Sequence, residues 1–252
     1  MNRSAWTIEQ SALGRIAIPT LLPAGLALFT TTIDFPGRLD DERARALLDV
    51  MRERFGVDAG LATATQVHGA ELLRIAGSEP GCWREDGACD ALATRERSQA
   101  LGVKVADCLP VTLFDSIAGV VAGIHSGWRG AAAAIVPSTI ERLSRDDSFD
   151  PSRALAFLGP SIRVCCFEVG DEVVEALAAA GGDVAAHVDR ARGPKPHIDL
   201  PGLTRRLLLG AGFDDRRIDD SGICTRCDGS IFHSYRRDGA RAGRNLSIAA
   251  MR

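Results

Sequence analysis

The sequence predicts an α+β fold in which mixed β-sheets are flanked by helices. Short apolar runs of four to seven residues, each closed by Gly, Pro, Asp or Ser, are typical of strands in a buried sheet. Charged segments with apolar residues at helical spacing indicate helices that cover such a sheet. Neither an internal repeat nor a shift in composition divides residues 1–252, so we expect one domain.

The elements are predicted in the following order. Short strands occupy residues 1–37, where Pro19, Pro23, Pro36 and Gly37 interrupt them, and a surface helix occupies residues 40–55. Further strands are expected at residues 71–76, 91–94, 101–105, 111–114 and 118–124. A helix at residues 131–143 contains Pro137, which marks either its first turn or a kink. A strand at 155–158 and helices at 171–180 and 200–211 follow, and segments 77–89 and 190–197 are expected to be mobile loops.

The composition is that of an ordinary globular protein, with 46% hydrophobic and 25% charged residues. The formal net charge of -3 gives no strong field that would draw the protein to nucleic acid or to an anionic membrane. We therefore expect small molecules as ligands, no nucleic-acid or membrane partner, and a monomer or small homo-oligomer.

The cysteines and the start of the chain bear on its location. Seven cysteines, an odd number, in a chain long enough to build a core without disulfides favour free thiols and a reducing compartment. Residues 1–10 lack the apolar segment of a signal peptide, and no run reaches the roughly 18 apolar residues that span a bilayer. The expected location is the cytoplasm.

Three strand-like runs each deliver a potential metal ligand into a turn. His68 follows one run, Cys108 lies between a run and Pro110, and His125 leaves a third run for a glycine-rich turn. Two imidazoles and one thiolate leave one tetrahedral position open, as in catalytic zinc sites, and copper accepts the same donors. The alternative is that the histidines are satisfied, partly buried residues and Cys108 an apolar filler.

Two basic segments predict anion binding. A glycine-rich turn at residues 126–130 precedes the predicted helix, and its Arg129 could grip a phosphate. The second segment consists of residues 234–238 together with residues 243–244. If residues 234–238 form a strand, Arg236 and Arg237 face opposite sides of it, and one of them could point into a pocket. The alternatives are an ordinary strand-to-helix connection with a packed Trp128 and a solvated basic surface.

Two pairs of cysteines lie outside the trio. Cys224 and Cys227 have the spacing of half a zinc ribbon or of a redox motif, but no second pair accompanies them in the sequence. Cys165 and Cys166 are adjacent and lie beside the apolar segment at 157–158, so we assign them to the core.

The segments with the predicted chemistry also resemble a known family. Residues 66–69 (Gln-Val-His-Gly), 106–110 (Ala-Asp-Cys-Leu-Pro) and 125–130 (His-Ser-Gly-Trp-Arg-Gly) resemble, in order, the three ligand motifs of the YfiH or laccase-domain family of purine nucleoside phosphorylases. Similar segments continue at residues 158–162, 167–170, 199–200, 224–225, 232–238 and 243–244. The resemblance covers about residues 61–250.

This resemblance implies a fold similar to the catalytic domain of cytotoxic necrotizing factor toxins. It also implies a catalytic zinc ion held by His68, Cys108 and His125. The implied reaction is phosphorolysis of adenosine, inosine or methylthioadenosine to the free base and ribose 1-phosphate, with adenosine deamination as a companion reaction. Members have also been described as copper polyphenol oxidases and as peptidoglycan editing factors.

Four further residues are predicted to contact the substrates, purine nucleoside and phosphate: Gln66, Asp107, Arg129 and Arg237. The two arginines would contact the phosphate, and Asp107 would orient a ligand or a ribose hydroxyl. The chain departs from the family pattern at residues 28–37, which lack the arginine, paired glycines and asparagine that members usually show there.

Two other hypotheses remain open. Cys108 could be a nucleophile activated by His125 for hydrolysis of an amide or ester, such as a cell-wall precursor, in which case it would not hold a metal. The chain could instead be a catalytically silent protein that binds a nucleotide or a cell-wall precursor. The divergent N-terminal pattern favours this second hypothesis, and the retained trio opposes it.

Overall fold

Two mixed β-sheets pack against each other in the computed structural model, which describes residues 6–36, 38–181 and 183–252. Apolar residues from both sheets, among them Leu28, Leu101, Phe114 and Val121, form the layer between them. Helices cover the outer faces, so the predicted α+β fold with flanked mixed sheets is confirmed. Residues 1–5 and Gly37, which belong to the predicted N-terminal strands, lie outside the described residues.

The strands are β1 Trp6–Ser11, β2 Gly14–Pro19, β3 Leu26–Thr31, β4 Gly60–Thr65, β5 Leu72–Arg74, β6 Trp83–Ala88, β7 Ala91–Thr94, β8 Gln99–Val105, β9 Leu109–Asp115, β10 Val120–Ser126, β11 Leu155–Leu158, β12 Val188–Asp189, β13 His197–Ile198, β14 Ile218–Asp220 and β15 Asn245–Met251. The helices are α1 Asp41–Phe55, α2 Trp128–Ala132, α3 Ile135–Asp147, α4 Asp171–Ala179, α5 Leu200–Gly210 and α6 Tyr235–Asp238. Among the described residues, none of these helices has the length and apolar character that crossing a bilayer requires.

The strand order places three loops at one edge. The first sheet has the order β1-β2-β3-β15-β8-β4-β6 and the second the order β14-β11-β9-β10-β7-β5. β4 and β8 are parallel, so both end at the same edge, and the end of β10 pairs with the start of β9 through Ser126 and Leu109. The loop after β4, the loop between β8 and β9, and the end of β10 therefore meet.

Local signals set the bounds of α1. The Asp40 carboxylate accepts a hydrogen bond from the amide of Arg43 (2.9 Å) at its start, and the helix ends at Gly56, whose φ of 71° favours glycine. Leu47 and Met51 belong to the core cluster between this helix and the first sheet. The helix predicted at 40–55 is confirmed.

The helix predicted at 131–143 is divided in two. α2 ends at Ala132, Ala134 adopts a left-handed conformation with a φ of 57°, and α3 begins at Ile135. Pro137 is therefore in the first turn of α3, where its missing amide hydrogen costs no intrahelical bond. The first-turn alternative is confirmed, and the prediction of one continuous helix is wrong.

Two other local predictions are wrong. Segment 77–89 is not a loop throughout, because β6 pairs in parallel with β4 at the edge of the first sheet. Its sequence shows no apolar alternation because much of this edge strand is exposed. The basic segment at 234–238 contains helix α6 rather than a strand, so strand alternation does not separate Arg236 from Arg237.

Candidate metal centre

The three loops bring His68, Cys108 and His125 together. One ring nitrogen from each histidine and the Cys108 sulfur all lie within 4.8 Å of one another. The two imidazole rings meet edge to face, with their centroids 4.8 Å apart. Three nitrogen and sulfur donors at this spacing could hold one metal ion and leave a fourth position for water or substrate.

A buried carboxylate, Asp90, orients both histidines. It lies directly before β7 with 3% of its surface exposed, and His125 Nδ1 lies 2.7 Å from its Oδ1. The His125 amide also donates to the Asp90 carbonyl oxygen (2.7 Å). A proton on Nδ1 leaves the other ring nitrogen, Nε2, free to act as a ligand, which is the usual carboxylate–histidine–metal arrangement.

The same carboxylate holds the His68 turn. The amides of Val67, His68 and Gly69 donate to the Asp90 oxygens at 3.1, 3.0 and 2.7 Å. His68 has a φ of 60°, a left-handed conformation that non-glycine residues adopt only when the surroundings compensate for it. Sequence reasoning missed Asp90, since a lone aspartate before a strand is indistinguishable from a turn residue.

The charges at the centre favour a bound cation. Burial opposes ionisation of Asp90, but hydrogen bonds from His125 and the neighbouring amides outweigh it and hold the Asp90 pKa below its usual value. Burial likewise opposes ionisation of Cys108, yet hydrogen bonds with His125 and His68 lower its pKa to about 7. His125 responds in the opposite direction: despite burial, Asp90 and Cys108 raise its pKa to about 9. A bound cation would take the place of one proton on His125, beside the Cys108 thiolate and the Asp90 carboxylate, and the nitrogen and sulfur donors fit zinc or copper.

Gly127 leaves the space that these ligands occupy. A β-carbon at this position would lie 2.9 Å from Cys108 Sγ and 3.1 Å from His68 Cδ2. Gly130, three residues later, packs against the His68 loop, where a β-carbon would lie 3.2 Å from the Gly69 carbonyl oxygen. Close approach therefore requires glycine at 127 and favours it at 130, and neither glycine has a left-handed φ.

The three ligands line an open cavity of about 890 Å³. This volume lies in the range of pockets that enclose small molecules. Four basic side chains contribute to its wall: Lys104, Arg129, Arg236 and Arg244. Apolar lining residues include Ile162, Phe167 and Val169, and four acidic residues also line the cavity, namely Glu85, Asp107, Glu168 and Glu172. The cavity therefore offers apolar surface and charged groups of both signs.

Gln66 and Asp107 line the cavity, but their polar groups are engaged. Gln66 Nε2 donates to the Lys104 carbonyl oxygen (2.7 Å), and the Lys104 amide donates to Gln66 Oε1 (2.8 Å). The buried Asp107 carboxylate accepts hydrogen bonds from Thr225 Oγ1 (2.6 Å), Ser234 Oγ (3.1 Å) and the Arg236 amide (2.6 Å). These contacts indicate that both residues position the wall of the cavity.

The predicted arginines have different surroundings. Arg129 lines the cavity and lies over the Trp128 ring, with its guanidinium carbon 4.2 Å from the ring centroid. Arg237 lies outside the cavity lining; its guanidinium pairs with Asp238 (2.7 Å) and donates to the Phe232 carbonyl oxygen (3.1 Å).

Three cationic residues of the lining are absent from the predicted set. Arg236 and Arg244 lie in the basic segments noted in the sequence, whereas Lys104 lies in β8 and gave no such signal. Arg236 also donates to the Glu168 carbonyl oxygen (2.8 Å) and lies 5.6 Å above the Phe167 ring.

Comparison with known proteins identifies relatives over most of the chain. A profile of the family described as "Multi-copper polyphenol oxidoreductase laccase" matches residues 35–252. The chain is 43% identical to adenosine deaminase RL5 from an unknown prokaryotic organism over 160 residues, which are 63% of this chain and 60% of RL5. It is 38% identical to a purine nucleoside phosphorylase of Bacteroides thetaiotaomicron over 159 residues, which are 63% of this chain and 59% of that protein. The matched region thus spans about 60% of the length of these two curated relatives.

A solved structure confirms the expected fold. The crystal structure of the Bacillus licheniformis hypothetical protein YfiH matches with a TM-score of 0.80. The match covers 90% of this chain and 93% of that protein at 23% sequence identity. The profile therefore confirms the resemblance to the YfiH or laccase-domain family, and the solved structure confirms the fold.

Proposed function

This chain belongs to the family described as multi-copper polyphenol oxidoreductase laccase, and on that premise we propose that it is a zinc-dependent purine nucleoside phosphorylase. Its substrates would be phosphate and adenosine, inosine or methylthioadenosine. The observation that supports this most is the cluster of His68, Cys108 and His125 in the wall of a cavity whose lining includes arginines and apolar residues. The name of the Bacteroides relative, purine nucleoside phosphorylase, supports the choice of reaction.

Zinc is the metal we assign to the trio. Two imidazoles and a thiolate with one open position are the donor set of catalytic zinc sites, although copper accepts the same donors. Asp90 would hold His125 in the tautomer that directs Nε2 to the metal, and Gly127 would keep the ligand positions clear. When bound, zinc would supply a Lewis-acid charge or an activated water.

The cationic lining supports phosphate as the second substrate. Lys104 pairs with Glu85, but the arginines at 129, 236 and 244 also contribute to the cavity wall of a protein whose net charge is -3, so attraction for a dianion would be local. Among them, Arg129 is next to the glycine turn that carries His125, and its stacking on Trp128 limits the directions its guanidinium can take. We assign it the first contact with phosphate.

The apolar lining supports a purine as the departing group. Ile162, Phe167 and Val169 offer a surface on which a flat aromatic base can pack. In the proposed reaction, a phosphate oxygen forms a bond to the anomeric carbon of the ribose while the bond from that carbon to the base breaks. The bonding electrons leave with the base, which gains one proton as the monohydrogen phosphate loses one. Ribose 1-phosphate remains, or methylthioribose 1-phosphate when the substrate is methylthioadenosine.

A second activity, deamination of adenosine, is supported by the name of RL5, adenosine deaminase, at 43% identity. In that reaction water adds to the ring carbon that bears the amino group, and ammonia leaves. The same cavity would serve, but phosphate would not be consumed. Product analysis therefore separates the two reactions on one substrate.

The decisive assay follows purine release from adenosine and inosine with and without phosphate. We expect the free base and ribose 1-phosphate to form only when phosphate is present. Release of base at the same rate in phosphate-free buffer would show hydrolysis instead, and conversion of adenosine to inosine would show deamination.

The metal assignment is tested with Cys108→Ser, which replaces a thiolate by a hydroxyl that binds zinc weakly. Activity and the zinc held by the trio should be lost together while the fold is retained. Cys82→Ser is the matched control, because Cys82 is an exposed free thiol outside the cavity lining. Zinc retained by the trio in folded Cys108→Ser protein would contradict the assignment.

Metal content and thiol labelling of the wild-type protein separate a metalloenzyme from a cysteine hydrolase. Cys108, His125 and Asp90 also form a possible nucleophile, base and orienting carboxylate, and the lowered Cys108 pKa of about 7 is compatible with that role. A metal-free wild-type protein whose turnover is blocked by iodoacetamide at Cys108 would favour the hydrolase. Reconstitution of metal-free protein with zinc or copper then identifies which ion restores phosphorolysis.

A further inference from the structure

We propose that Cys165, Cys166, Cys224 and Cys227 form a second metal site that holds one zinc ion. These residues are called the four-cysteine cluster below. Their sulfur atoms all lie within 4.8 Å of one another, and no residue is shared with the trio. The proposal is independent of the reaction proposed above.

The distances between sulfur atoms fit ligands around a single ion. Cys227 Sγ lies 3.6 Å from Cys165 Sγ and 3.4 Å from Cys166 Sγ. A tetrahedral zinc ion with Zn–S bonds of about 2.3 Å separates its sulfur ligands by about 3.8 Å. A disulfide would need a sulfur–sulfur distance of about 2.05 Å, so the observed spacing matches zinc ligation more closely.

A turn explains how two adjacent cysteines can serve one ion. In a strand, the side chains of Cys165 and Cys166 would point to opposite faces. Here the amides of Cys166 and Phe167 both donate to the Arg163 carbonyl oxygen, at 2.8 and 2.9 Å, so the chain curls around this point. Both sulfur atoms can therefore reach Cys227, which lies 61 residues after Cys166 in the sequence.

The second pair is presented by another turn. The Asp228 amide donates to the Cys224 carbonyl oxygen (2.9 Å), which closes the chain over the Cys-x-x-Cys segment. This spacing is common in structural zinc sites. The sequence leaves Cys224 and Cys227 without a second pair and assigns Cys165 and Cys166 to the core. The structure brings the two pairs together, confirms Cys166 as a core residue and shows that Cys165 is exposed.

Charge and burial agree with a structural site at the surface. Cys166 and Cys224 are buried, whereas Cys165 and Cys227 are exposed, so an ion can reach the cluster from solvent. Four thiolates around a divalent ion leave a net charge of about −2. Arg226 lies between the two cysteines of its segment in sequence, and its Nη1 is 3.4 Å from Cys166 Sγ, where it offsets part of that charge.

The site would join two loops that have little regular structure. One loop contributes Ile162 and Phe167 to the cavity wall, and the other contributes Thr225, which donates to Asp107. Between them the backbone forms only an isolated bridge of Ser161 with Cys224 among the described residues. A zinc ion here would replace the missing strand pairing as a cross-link, which is how structural zinc commonly acts in small loops.

The test is the metal content of the full-length protein, purified under reducing conditions from a zinc-replete culture. We expect about two zinc ions per chain in the wild type and about one in each of Cys227→Ser, Cys165→Ser and Cys108→Ser. The double variant Cys108→Ser/Cys227→Ser should retain almost none, and Cys82→Ser should match the wild type. Because the Cys108→Ser variant would keep only the second ion, failure of this proposal is distinguishable from failure of the proposed function.

A second measurement applies even if these variants do not fold. Iodoacetamide labelling of the wild type, read by peptide mass spectrometry, should modify Cys165 and Cys227 slowly with zinc present and at least tenfold faster after chelation, whereas Cys82 labels equally in both. Cobalt in place of zinc should give intense thiolate-to-metal absorption that survives in Cys108→Ser. No zinc in Cys108→Ser, iron in place of zinc, a mass showing a disulfide, or fast labelling before chelation would each overturn the proposal.

Discussion

Replacing Asp90 by asparagine should weaken zinc binding by the trio without removing any ligand. The carboxylate lies opposite four N–H groups, three from backbone amides and one from His125 Nδ1. An asparagine side chain has one acceptor oxygen and one NH₂ group. In either orientation, the NH₂ group therefore faces two of these N–H donors.

The consequence for His125 sets the expected magnitude. If the Asn NH₂ group donates to Nδ1, the ring proton moves to Nε2, and the nitrogen that faces the cluster can no longer bind metal without a further change of tautomer. Loss of such an orienting partner typically lowers metal affinity about 10–100-fold, which corresponds to about 1.4–2.8 kcal/mol. We expect the zinc Kd of Asp90→Asn to rise within that range.

Competition with a chromophoric chelator gives the Kd, and circular dichroism with a thermal melt shows whether the protein is folded. Asp115→Asn is the matched control. Asp115 is also buried and accepts amide hydrogen bonds from Ile117, Ala118 and Asp150, but it lies outside the cavity lining. Both variants should lose stability, and only Asp90→Asn should lose zinc affinity. A folded Asp90→Asn protein with a zinc Kd within about threefold of the wild type would refute the reasoning.

Three further predictions follow from single contacts. Gly127→Ala places a methyl group against the Cys108 thiol and the His68 ring, at a φ of -77° that alanine tolerates. Zinc affinity should therefore fall about tenfold or more in a folded protein. Gly210 has open space around it, so Gly210→Ala should leave zinc affinity unchanged. Arg129→Ala should raise the KM for phosphate about 10–100-fold, because an ionic hydrogen bond contributes roughly 1.5–3 kcal/mol. Arg237→Ala should leave that KM near the wild-type value. Burial raises the pKa of Asp219 to about 6, so the unfolded chain ionises this carboxyl more readily and the folded protein loses stability as the pH rises from about 4 to 6. Asp219→Asn should therefore add about 1–3 kcal/mol to the free energy of unfolding near pH 8 and almost none near pH 4. Urea denaturation at the two pH values measures this difference.

The elements that the sequence predicts well are those whose signals are local. Helix α1 has its cap, its apolar spacing and its terminal glycine within one segment, and β7 coincides with the apolar run at 91–94. β6 was missed because an exposed edge strand needs no apolar alternation. β15 was not assigned either, although it lies between β3 and β8, because its pairing joins residues from both ends of the chain.

The same distinction applies to the candidate sites. His68, Cys108 and His125 stand out because ligand types that are uncommon in turns follow or precede strands, so chemistry alone draws attention to them. Asp90 has no such mark, since its role depends on four donors that only the folded chain brings to it. The four-cysteine cluster was overlooked for a related reason: each pair looks incomplete until packing places the other beside it.

Backbone strain connects the two sites. Among the described residues, four that are not glycine have a positive φ, and two of them, His68 (φ 60°) and Asp107 (φ 83°), form the turns that present metal ligands. Each such conformation costs about 1–3 kcal/mol and persists only where the surroundings hold it. Asp90 holds the first, and the second depends on hydrogen bonds to the Asp107 carboxylate, one of them from Thr225. Since Thr225 lies inside the Cys-x-x-Cys segment of the four-cysteine cluster, an ion bound there would stabilise the turn that positions Cys108, although it is not part of the trio.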